Sequence, residues 1–317
     1  MSLPFVLDAE QVASALDSAQ VFGIAAAALV EADAGRTSPP AVWLPTADGR
    51  IQVKAAYYRE TVVLRTAQES SGTNQHSASR VMTCFRRADL APLGFVHEGE
   101  LFAQRVAAQA HLAWTSLTPD AGRILLIGGG RVARAIVRMA DVLGLLAARE
   151  LVLHTRRPDA AMAMLDDLAV TGAVVDAAAL PAAIAAADVV ITATSSPEPL
   201  VPRRALSRGT LVVSLGGGAE LEDRIVLEAD RLVVDDWEQA SLMGDLAPLI
   251  ASGLVTRQGV SATLAEVLRA PATHRVGHGE LVVAVAQGST VIDAALAHHL
   301  VSAQQAGGLG GGLAGGL

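Results

Sequence analysis

The sequence predicts an α/β fold organised around a doubly wound parallel sheet, and three observations point to it. Hydrophobic residues make up 51% of the 317 residues and charged residues 18%, which is enough apolar material for a sizeable core. From residue 122 onward, short apolar runs alternate with helical patterns of about 10–15 residues, as in strand–helix–strand units. A glycine-rich turn joins the first apolar run to the first of these helical patterns. Continuous apolar runs are typical of parallel strands, since these are buried on both faces.

Residues 1–119 mix helical and strand patterns, so we expect a separate domain that ends at the turn Thr118-Pro119-Asp120. One long helix is predicted over 9–32, with Asp8 as its N-cap. A turn, a short strand and a second turn are predicted over 35–48. β-rich runs then predict strands at 51–58, 61–66, 80–85 and 93–98, followed by a helix over 99–117.

The rest of the chain predicts the parallel sheet itself. Buried strands are expected at 123–128, 151–154, 188–194, 210–215 and 231–236, and helices at 131–144, 158–170 and 292–303. Residues 306–317 are a Gly/Leu tail that we expect to be mobile.

Composition and charge narrow the classes of function. The net charge is −8 and no Lys/Arg-rich run is present, so nucleic acid is not an expected partner. No apolar run reaches the length of about 20 residues that crosses a bilayer, and the first residues lack the basic region of a secretory signal. We therefore expect a cytoplasmic protein without membrane contact.

Cysteine and histidine patterns favour neither a disulfide nor a metal site. The single cysteine, Cys84, lies in a strand-like run and is expected to be a small buried apolar residue. His298 and His299 are adjacent on a predicted helix and so point in different directions. His274 and His278 lie among glycines that favour a loop.

The turn Gly128-Gly129-Gly130-Arg131-Val132-Ala133 fits the pattern G-x-G-x-x-A between a strand and a helix. That context is the one in which the pattern predicts a dinucleotide-binding site of the Rossmann type. Gly128 permits the tight turn, Gly130 lets the backbone approach a pyrophosphate, and Ala133 allows helix and strand to pack closely. The residues expected at the pyrophosphate are Gly128, Gly130, Arg131 and Val132.

The end of the second strand predicts the type of cofactor. An NAD site usually has an acidic residue there, which binds the ribose 2′-hydroxyl. This chain instead has His154-Thr155-Arg156-Arg157, and an arginine can pair with a 2′-phosphate. We therefore favour NADP(H) over NAD(H), with Thr155 and Arg156 as contacts.

Two further polar groups follow predicted strands at the edge where ligands of such sheets bind. Thr194, Ser195 and Ser196 suit the ribose or nicotinamide of the cofactor, although a serine-rich turn has the same composition. Asp235 and Asp236 either contact the cofactor or cap the next helix.

The chain has 24 basic residues, of which 23 are arginine and one, Lys54, is lysine. A bias toward arginine codons explains the trend but not the one lysine that remains. Lysine and arginine are similar as charges on the surface, but in a buried binding or catalytic site lysine can lose its proton.

Six segments together resemble the ornithine cyclodeaminase/μ-crystallin family, and the likeness extends from about residue 5 to residue 303. They are 51–58 with Lys54, 104–113 with Arg105, the glycine turn at 128–135, 191–201, 231–246 and 288–297. The most specific part is the stretch 188–246.

The resemblance implies a discontinuous α+β domain, residues 1–119 with 292–317, that binds substrate and forms a homodimer. A Rossmann domain, residues 120–291, lies between its two parts. It also implies a small α-amino or α-imino acid substrate and hydride transfer with NAD(P)(H). By the same resemblance, Lys54 binds the substrate carboxylate or assists proton transfer, and Arg105 clamps the carboxylate.

Two departures from the family pattern bear on the reaction. The family's other carboxylate-binding arginine is missing from Pro39-Pro40-Ala41-Val42, and the loop at 214–221 lacks the family's acid/base aspartate. Glu220 matches a downstream Glu-Leu pair of the family and is not assigned that role.

Three hypotheses follow from these departures. The favoured hypothesis is reduction of an imine that is already formed, or the reverse oxidation of an amino acid, because this reaction needs the least acid/base chemistry. The second is a dehydrogenase or oxidative-cleavage enzyme of a specialised pathway, for which the three loop glycines would make room. The third is a dinucleotide-binding protein without catalysis.

Overall fold

The computed structural model describes residues 4–32, 39–47, 49–70, 80–277 and 279–307. The expected turn at 35–38, the tail at 308–317 and His278 lie outside the described residues. The chain divides into two compact units, Met1–Arg105 with Ser289–Leu317 and Val106–Gly288. The first division falls inside a helix, whereas the sequence predicts the boundary at the turn that follows this helix.

The secondary structure is as follows. The strands are β1 Phe5–Leu7, β2 Val42–Thr46, β3 Gly49–Tyr58, β4 Thr61–Ser70, β5 Arg80–Arg86, β6 Pro92–His97, β7 Arg123–Ile127, β8 Glu150–His154, β9 Ala173–Val175, β10 Val189–Thr192, β11 Leu211–Ser214, β12 Arg231–Val234, β13 Ala262–Thr263 and β14 Val282–Val285. The helices are α1 Ala9–Ala15, α2 Ser18–Glu31, α3 Leu101–Leu117, α4 Arg131–Val142, α5 Pro158–Leu168, α6 Leu180–Ala186, α7 Asp223–Leu227, α8 Trp237–Ala240, α9 Leu246–Ala251, α10 Leu264–Arg269, α11 Pro271–His274 and α12 Thr290–Gln305.

The first unit is built on a six-stranded sheet in the order β1-β6-β5-β4-β3-β2. Strands β2 to β6 pair antiparallel, and β1 joins β6 in parallel. Alternate residues of β3, β4 and β5 are buried, because one face of the sheet is covered and the other is not. Helix α12 lies against β3 and β4 on the covered face.

The long helix predicted over 9–32 is wrong, because the chain breaks into α1 and α2 at Leu16 and Asp17. The Asp17 carboxylate accepts a hydrogen bond from the Gln20 amide at 2.7 Å, and the Gln20 side chain accepts one from the Asp17 amide at 3.0 Å. This reciprocal pair is a capping box, which starts a new helix. Within the described residues, no single helix is long and apolar enough to cross a membrane. Only α1 and α2 taken together reach that length and composition, and they are bent by 82°.

The second unit contains eight strands in the order β13-β12-β14-β11-β10-β7-β8-β9, and every pairing is parallel. This confirms the predicted α/β fold with a parallel sheet. Chain order runs from β7 outward to β9 on one side and from β10 to β11 on the other, where the last strand, β14, lies between β11 and β12. The strand order therefore reverses between β7 and β10, and ligands of such sheets bind outside the carboxyl ends of the strands at this point.

Candidate active site

The turn after β7 requires glycine at its first position. Gly128 has a φ of +144°, a conformation that side chains disfavour. Its amide donates a hydrogen bond to the His154 carbonyl at 2.8 Å, and a Cβ on Gly128 would lie 2.5 Å from the Ala193 carbonyl oxygen. The turn is therefore fixed between the ends of β8 and β10.

The third glycine of the turn faces open space. Gly130 is the N-cap of α4 and has no side chain to cap it, and a Cβ there would meet no atom within 4 Å. Arg131 is exposed and Val132 is half-buried, whereas Ala133 is fully buried against the sheet. Because the first amides of a helix have no partner inside it, this end of α4 fits the pyrophosphate of a dinucleotide.

The chain that follows β8 contains no carboxylate beside the turn. His154 is buried, and its Nδ1 lies 3.0 Å from the Val175 carbonyl oxygen. Thr155 is half-buried, and a Cβ on Gly129 would lie 2.6 Å from its hydroxyl. Arg156 and Arg157 are exposed. The groups available to an adenosine ribose at this edge are thus a hydroxyl and two guanidiniums.

The segment after β10 is held by a carboxylate that sequence reasoning did not assign. The Glu220 carboxylate accepts hydrogen bonds from the Thr192 hydroxyl at 2.8 Å, the Thr194 amide at 2.6 Å and the Gly216 amide at 2.8 Å. Burial raises the pKa of Glu220 above its ordinary value, against these hydrogen bonds, which favour the ionised form. Its position supports the loop around Thr194 rather than reacting with a substrate.

Residues 194–196 form a compact turn at the same edge of the sheet. The Ser196 amide donates to the Thr194 hydroxyl at 3.1 Å, and the Ser196 hydroxyl donates to the Glu198 carbonyl at 2.8 Å. Ser195 is exposed, while Thr194 and Ser196 are half-buried. The hydroxyls of Thr194 and Ser196 are therefore partly engaged in shaping the turn, and Ser195 is the most accessible of the three.

The three glycines after β11 are closely packed on the side where a Cβ would project. A Cβ on Gly216 would collide with the Glu220 carboxyl group, and one on Gly218 would lie 2.6 Å from the Ser196 carbonyl oxygen. A Cβ on Gly217 would lie 3.2 Å from the methyl group of Met243. The space beside these glycines is already filled.

Asp235 and Asp236 have different roles, and both hold the backbone. Asp235 is buried and accepts hydrogen bonds from the Gln109 side chain at 2.6 Å and the Gly288 amide at 2.7 Å. Burial raises its pKa. Asp236 is the N-cap of α8 and accepts from the Gln239 amide at 3.1 Å. The helix-capping alternative is therefore the one that the structure shows for Asp236.

The first unit places Lys54 among buried charges. Lys54 on β3 lies directly across from Arg65 on β4, and the two residues are 3% and 2% exposed. The same face carries Gln52, whose side-chain oxygen accepts a hydrogen bond from Arg65 at 3.1 Å. The register of β3 and β4 thus brings two cations together on the covered face of the sheet.

Arg105 enters the same cluster from α3. Its Nε lies 2.8 Å from a carboxylate oxygen of Asp293 on α12, and Arg65 lies 3.7 Å from the other oxygen. Arg65 also donates hydrogen bonds to Glu98, one of them at 3.1 Å. Arg105 and Arg65 are therefore both held by carboxylates in the unit that contains Lys54.

Aromatic packing adds a fourth cation at the edge of this cluster. The Arg80 guanidinium lies 3.9 Å from the centre of the Phe102 ring, and those of Arg105 and Arg65 lie 5.3 Å and 5.8 Å from it. The Arg80 Nε lies 3.8 Å from Glu98. We call this group the cation cluster. It consists of Lys54, Arg65, Arg80 and Arg105 with the carboxylates Glu98 and Asp293.

The two carboxylates of the cation cluster respond differently to burial. Burial favours the neutral acid at Glu98, but the charge and hydrogen bonds of Arg65 outweigh it and hold the pKa of Glu98 below its ordinary value. At Asp293 burial outweighs the opposing charges of Arg105 and Arg65, and the pKa is raised. Glu98 is thus the more strongly ionised of the pair.

The sequence predicts Lys54 and Arg105 as site residues, and the structure places Arg65, Arg80, Glu98 and Asp293, which the sequence did not predict, in the same cluster. The available signal was the alternation of the strands. Gln52 and Lys54 on β3, and Arg65 on β4, occupy positions that alternate with residues of the open face. Polar residues at such inward positions indicate a site, since buried charges need partners.

Cys84 and His298 are both held within the protein, in the part of the chain that the structure describes. Cys84 is buried, and burial raises the pKa of its thiol to about 12. His298 is hydrogen-bonded through Nδ1 to the Thr61 hydroxyl at 2.9 Å. Within the part of the chain that the structure describes, no three His, Cys, Asp or Glu residues lie close enough to hold a metal ion.

A cavity of about 580 Å³ in the second unit lies at the opposite edge of the sheet from the glycine turn. It is lined near the start of β8 by Arg149 and Glu150 and near β9 by Thr171 and Gly172. Because ligands of parallel sheets bind at the carboxyl ends of the strands, this cavity at the amino ends is not assigned to the cofactor.

Comparison with known proteins matches a family model to almost the whole chain and individual relatives to parts of it. The model of the ornithine cyclodeaminase/mu-crystallin family matches residues 3–306. A Delta(1)-pyrroline-2-carboxylate reductase of Paracoccus denitrificans is 30% identical over 190 residues, which cover 57% of this chain and 59% of that protein. An alanine dehydrogenase of Archaeoglobus fulgidus is 31% identical over 114 residues, or 35% of each chain. The chain thus matches less than two thirds of the length of these relatives.

Solved structures share the fold over nearly their full length. An archaeal alanine dehydrogenase dimer with bound NAD has a TM-score of 0.86 at 21% identity, covering 97% of this chain and 98% of that one. The Thermococcus litoralis Delta(1)-pyrroline-2-carboxylate reductase in complex with NADH and L-proline has a TM-score of 0.84 at 20% identity, covering 97% and 99%. The iminosuccinate reductase of Paracoccus denitrificans in complex with NAD+ has a TM-score of 0.81 at 21% identity, covering 96% and 98%. At these identities the likeness establishes the fold.

Proposed function

The chain belongs to the ornithine cyclodeaminase/mu-crystallin family, and from this membership we propose that it is a nicotinamide-dependent oxidoreductase. Its reaction is reduction of the C=N bond of a small α-imino acid, or oxidation of the corresponding α-amino acid in reverse. The observation that carries the proposal is the cation cluster, in which Lys54, Arg65 and Arg105 are buried on one face of a sheet. Buried cations held in place by carboxylates are suited to binding the carboxylate of an organic acid.

The second unit supplies the residues that fit a dinucleotide. Gly128 and Gly130 shape the turn, and the first amides of α4, at Arg131 and Val132, are placed to meet a pyrophosphate. When bound, the reduced cofactor supplies a hydride to the carbon of a protonated imine, which leaves an amine and the oxidised nicotinamide.

The cofactor we propose is NADP(H) in preference to NAD(H). Support comes from the chain after β8, where Thr155 and the exposed Arg156 stand in place of an acidic residue. Thr194, Ser195 and Ser196 line the same edge of the sheet and are proposed to contact the ribose or nicotinamide. Comparing KM for NADPH and NADH tests this assignment, and a lower KM for NADH would overturn it.

Lys54 and Arg105 are the proposed catalytic residues. Both bind the substrate carboxylate, and Lys54 is the only lysine of the chain. Arg65, directly across from Lys54, adds a second fixed charge at the same point. Orienting the imine by its carboxylate is the main task of such a site, because a protonated imine is already an electrophile.

Imine reduction is favoured over cyclodeamination by the loop after β11. Cyclodeamination needs proton transfers at the substrate nitrogen in addition to hydride transfer, and the described loop 215–221 offers a single carboxylate, Glu220. That carboxylate is buried and holds three groups of the protein backbone and side chains. Reduction of an imine that is already formed requires fewer acid/base groups from this loop.

We further propose that the protein acts as a homodimer. The open face of the sheet in the first unit exposes large apolar side chains, namely Val6, Val42, Leu44, Leu64 and Phe95. Several exposed apolar side chains on one face of a sheet are typical of a surface covered by a partner, and a second copy of the chain is the proposed occupant. A cytoplasmic location completes the proposal, since the reaction draws on the cellular pool of nicotinamide cofactor.

The experiment that tests the function is a steady-state assay of NADPH oxidation at 340 nm with a panel of cyclic and acyclic imino acids. The account predicts turnover with at least one imino acid and none with the matching 2-oxo acid when no ammonia or amine is present. Binding of NADPH without turnover of any member of the panel would overturn it. That result would favour the dinucleotide-binding protein without catalysis.

A further inference from the structure

Glu220 closes both ends of the segment 193–201, which follows β10 and which we call the β10 loop. At the start of the loop, the Glu220 carboxylate accepts hydrogen bonds from the Thr192 hydroxyl at 2.8 Å and from the Thr194 amide at 2.6 Å. At its end, the Glu220 backbone carbonyl accepts a hydrogen bond from the Leu200 amide at 2.8 Å. One residue therefore fixes both ends of the β10 loop.

The same carboxylate ties the β10 loop to the chain that follows β11. The Gly216 amide donates at 2.8 Å to the carboxylate oxygen of Glu220 that also accepts from the Thr192 hydroxyl. A Cβ on Gly218 would lie 2.6 Å from the Ser196 carbonyl oxygen, so the two segments pack closely. Because β10 and β11 are neighbours in the sheet, Glu220 joins the carboxyl ends of two adjacent strands.

A second buried carboxylate fixes the backbone that carries Glu220. Asp245, which precedes α9, accepts hydrogen bonds from the Glu220 and Leu221 amides at 2.8 Å and 3.0 Å. It also accepts a hydrogen bond from the Ser214 hydroxyl at the end of β11. The position of Glu220 is therefore set by the sheet itself.

The contacts of the Glu220 carboxylate require an acceptor at both oxygens. Oε1 accepts from the Thr194 amide and Oε2 from the Gly216 amide, and backbone amides can only donate. A glutamine of the same size would turn its NH2 group toward one of these two amides. The substitution E220Q therefore breaks one of the two contacts while it conserves the volume of the side chain.

The β10 loop lies where the nicotinamide half of the cofactor is expected. The strand order reverses between β7 and β10, and the pyrophosphate is proposed to lie at the glycine turn after β7. The adenosine half is proposed to contact Thr155 and Arg156, which follow β8 on the other side of β7. The half beyond the pyrophosphate therefore extends toward β10 and its loop.

We propose that Glu220 is a positioning residue that orders the nicotinamide half of the cofactor through the β10 loop. It does not touch the substrate. It fixes Thr194 and the two serines after it, and these contact the nicotinamide and its ribose. The inference rests on the proposed function and deepens it, because it assigns the ordering of one half of the cofactor to a single buried carboxylate.

The binding test compares the whole dinucleotide with a fragment that lacks nicotinamide. Isothermal titration measures NADP+ and adenosine 2′,5′-bisphosphate with the parent protein and with E220Q. We expect the Kd of NADP+ to rise about tenfold or more in E220Q, as for the loss of a hydrogen bond to a charged group. The Kd of the bisphosphate should change by less than about threefold. Equal losses for both ligands would show general damage to the unit and would overturn the inference, as would an unchanged Kd for NADP+.

NAD+ and ADP are titrated in the same way, so that the test does not depend on which dinucleotide the protein prefers. The same split between dinucleotide and fragment is expected for this pair. A parent protein that binds neither NADP+ nor NAD+ would contradict both the proposed function and the positioning role.

Fluorescence of NADPH observes the nicotinamide ring directly, because the reduced ring is the part of the cofactor that emits. A ring that is ordered in a site without water emits more strongly than a ring in solution. At saturating NADPH we expect a smaller increase of emission in E220Q than in the parent protein. An equal increase in the two proteins would show that Glu220 does not order the ring.

The matched control is E222Q, since Glu222 lies two residues away and its carboxylate accepts the Arg203 amide at 2.6 Å, beyond the end of the β10 loop. It should change neither the Kd of NADP+ nor the emission. The variant T192V removes the hydroxyl that donates to Glu220 and keeps a β-branched side chain. We expect it to raise the Kd of NADP+ by about threefold, as for one hydrogen bond, and to leave the fragment unaffected. If E220Q does not fold, an unchanged Kd in T192V overturns the inference.

Turnover separates this inference from the proposed function. Loss of NADP+ affinity in E220Q with intact binding of the fragment, in a protein that turns over no imino acid, would sink the oxidoreductase proposal and leave the positioning role standing. Turnover of an imino acid by the parent, together with normal NADP+ binding by E220Q, would give the reverse result.

Discussion

Gly128 and Gly130 belong to one turn, but different physical constraints act on them. At Gly128 the backbone itself requires glycine, because φ is +144° and a Cβ would lie 2.5 Å from the Ala193 carbonyl oxygen. At Gly130 the backbone is extended, with φ at −91°, and the space beside it is open. An alanine at Gly130 fits the protein but occupies the space that a pyrophosphate would use.

We therefore predict opposite outcomes for alanine at the two positions. G128A should lower the free energy of unfolding by about 1–3 kcal/mol, measured by urea denaturation, because of backbone strain. G130A should leave that free energy unchanged and weaken NADPH binding by about tenfold or more, measured by fluorescence titration. If G130A bound NADPH as tightly as the parent protein, the pyrophosphate would not lie at this turn.

Glu220 predicts a pH dependence of stability. Its pKa is raised in the folded protein above the ordinary value of 4.5, so the folded state binds the proton more tightly than the unfolded state does. Its stabilising contribution is therefore complete below pH 4.5 and is lost as the pH rises through the raised pKa. Urea denaturation of E220Q across this range should show a smaller fall of stability with pH than the parent protein. An unchanged slope would mean that Glu220 does not titrate there.

At this scale the sequence could predict residues whose chemistry is unusual, and only those. Lys54 stood out as the one lysine, and Gly128 stood out by its place between a strand and a helix. Arg65 could not be found in this way, because it is one of 23 arginines. Its importance comes from the register that places it across from Lys54, and register is a property of the folded sheet.

At the scale of elements, the break between α1 and α2 shows how one polar residue can divide a helical pattern. Asp17 lies within an apolar run that predicted one helix, yet its carboxylate accepts the Gln20 amide and starts α2. An N-cap side chain of this kind contributes about 1 kcal/mol to stability.

D17A should therefore lower the free energy of unfolding by about 1 kcal/mol, because the cap of α2 is lost. D17N is the matched control, since asparagine caps helices as well as aspartate does. Thermal or urea denaturation of the two variants measures the difference. Equal stability of D17A and the parent protein would show that the cap does not maintain the break.

Several strands with long apolar runs were predicted, whereas the shortest strands were missed. The strands at 123–128, 188–194 and 210–215 correspond to β7, β10 and β11. The three-residue strands β1 and β9 were missed because so few residues carry no periodicity. Strand β14 was also missed, although its four residues are fully buried between β11 and β12.

At the scale of the whole molecule, the apolar open face of the first unit predicts self-association. Leu44 is 49% exposed and Phe95 is 45% exposed. A charge placed within a covered apolar interface is costly because it must be buried without a partner. The proposed homodimer should therefore be sensitive to acidic substitutions on this face.

L44D should shift the protein from dimer to monomer, measured by size-exclusion chromatography with light scattering. The control is L254D in the second unit, where Leu254 is 62% exposed. This control should remain dimeric, because Leu254 is not on the open face of the sheet. A dimeric L44D, or a parent protein that is monomeric at micromolar concentration, would contradict the proposed dimer surface.

The central claim is that Lys54 acts on an organic acid in a nicotinamide-dependent reaction, and kinetics of K54M test it most directly. Methionine has a similar length but no charge, and the cation cluster retains three cations for its two carboxylates. We predict that kcat/KM for the imino acid falls by about 10- to 100-fold, while NADPH affinity and thermal stability stay unchanged. A kcat/KM within about threefold of the parent value would contradict the account.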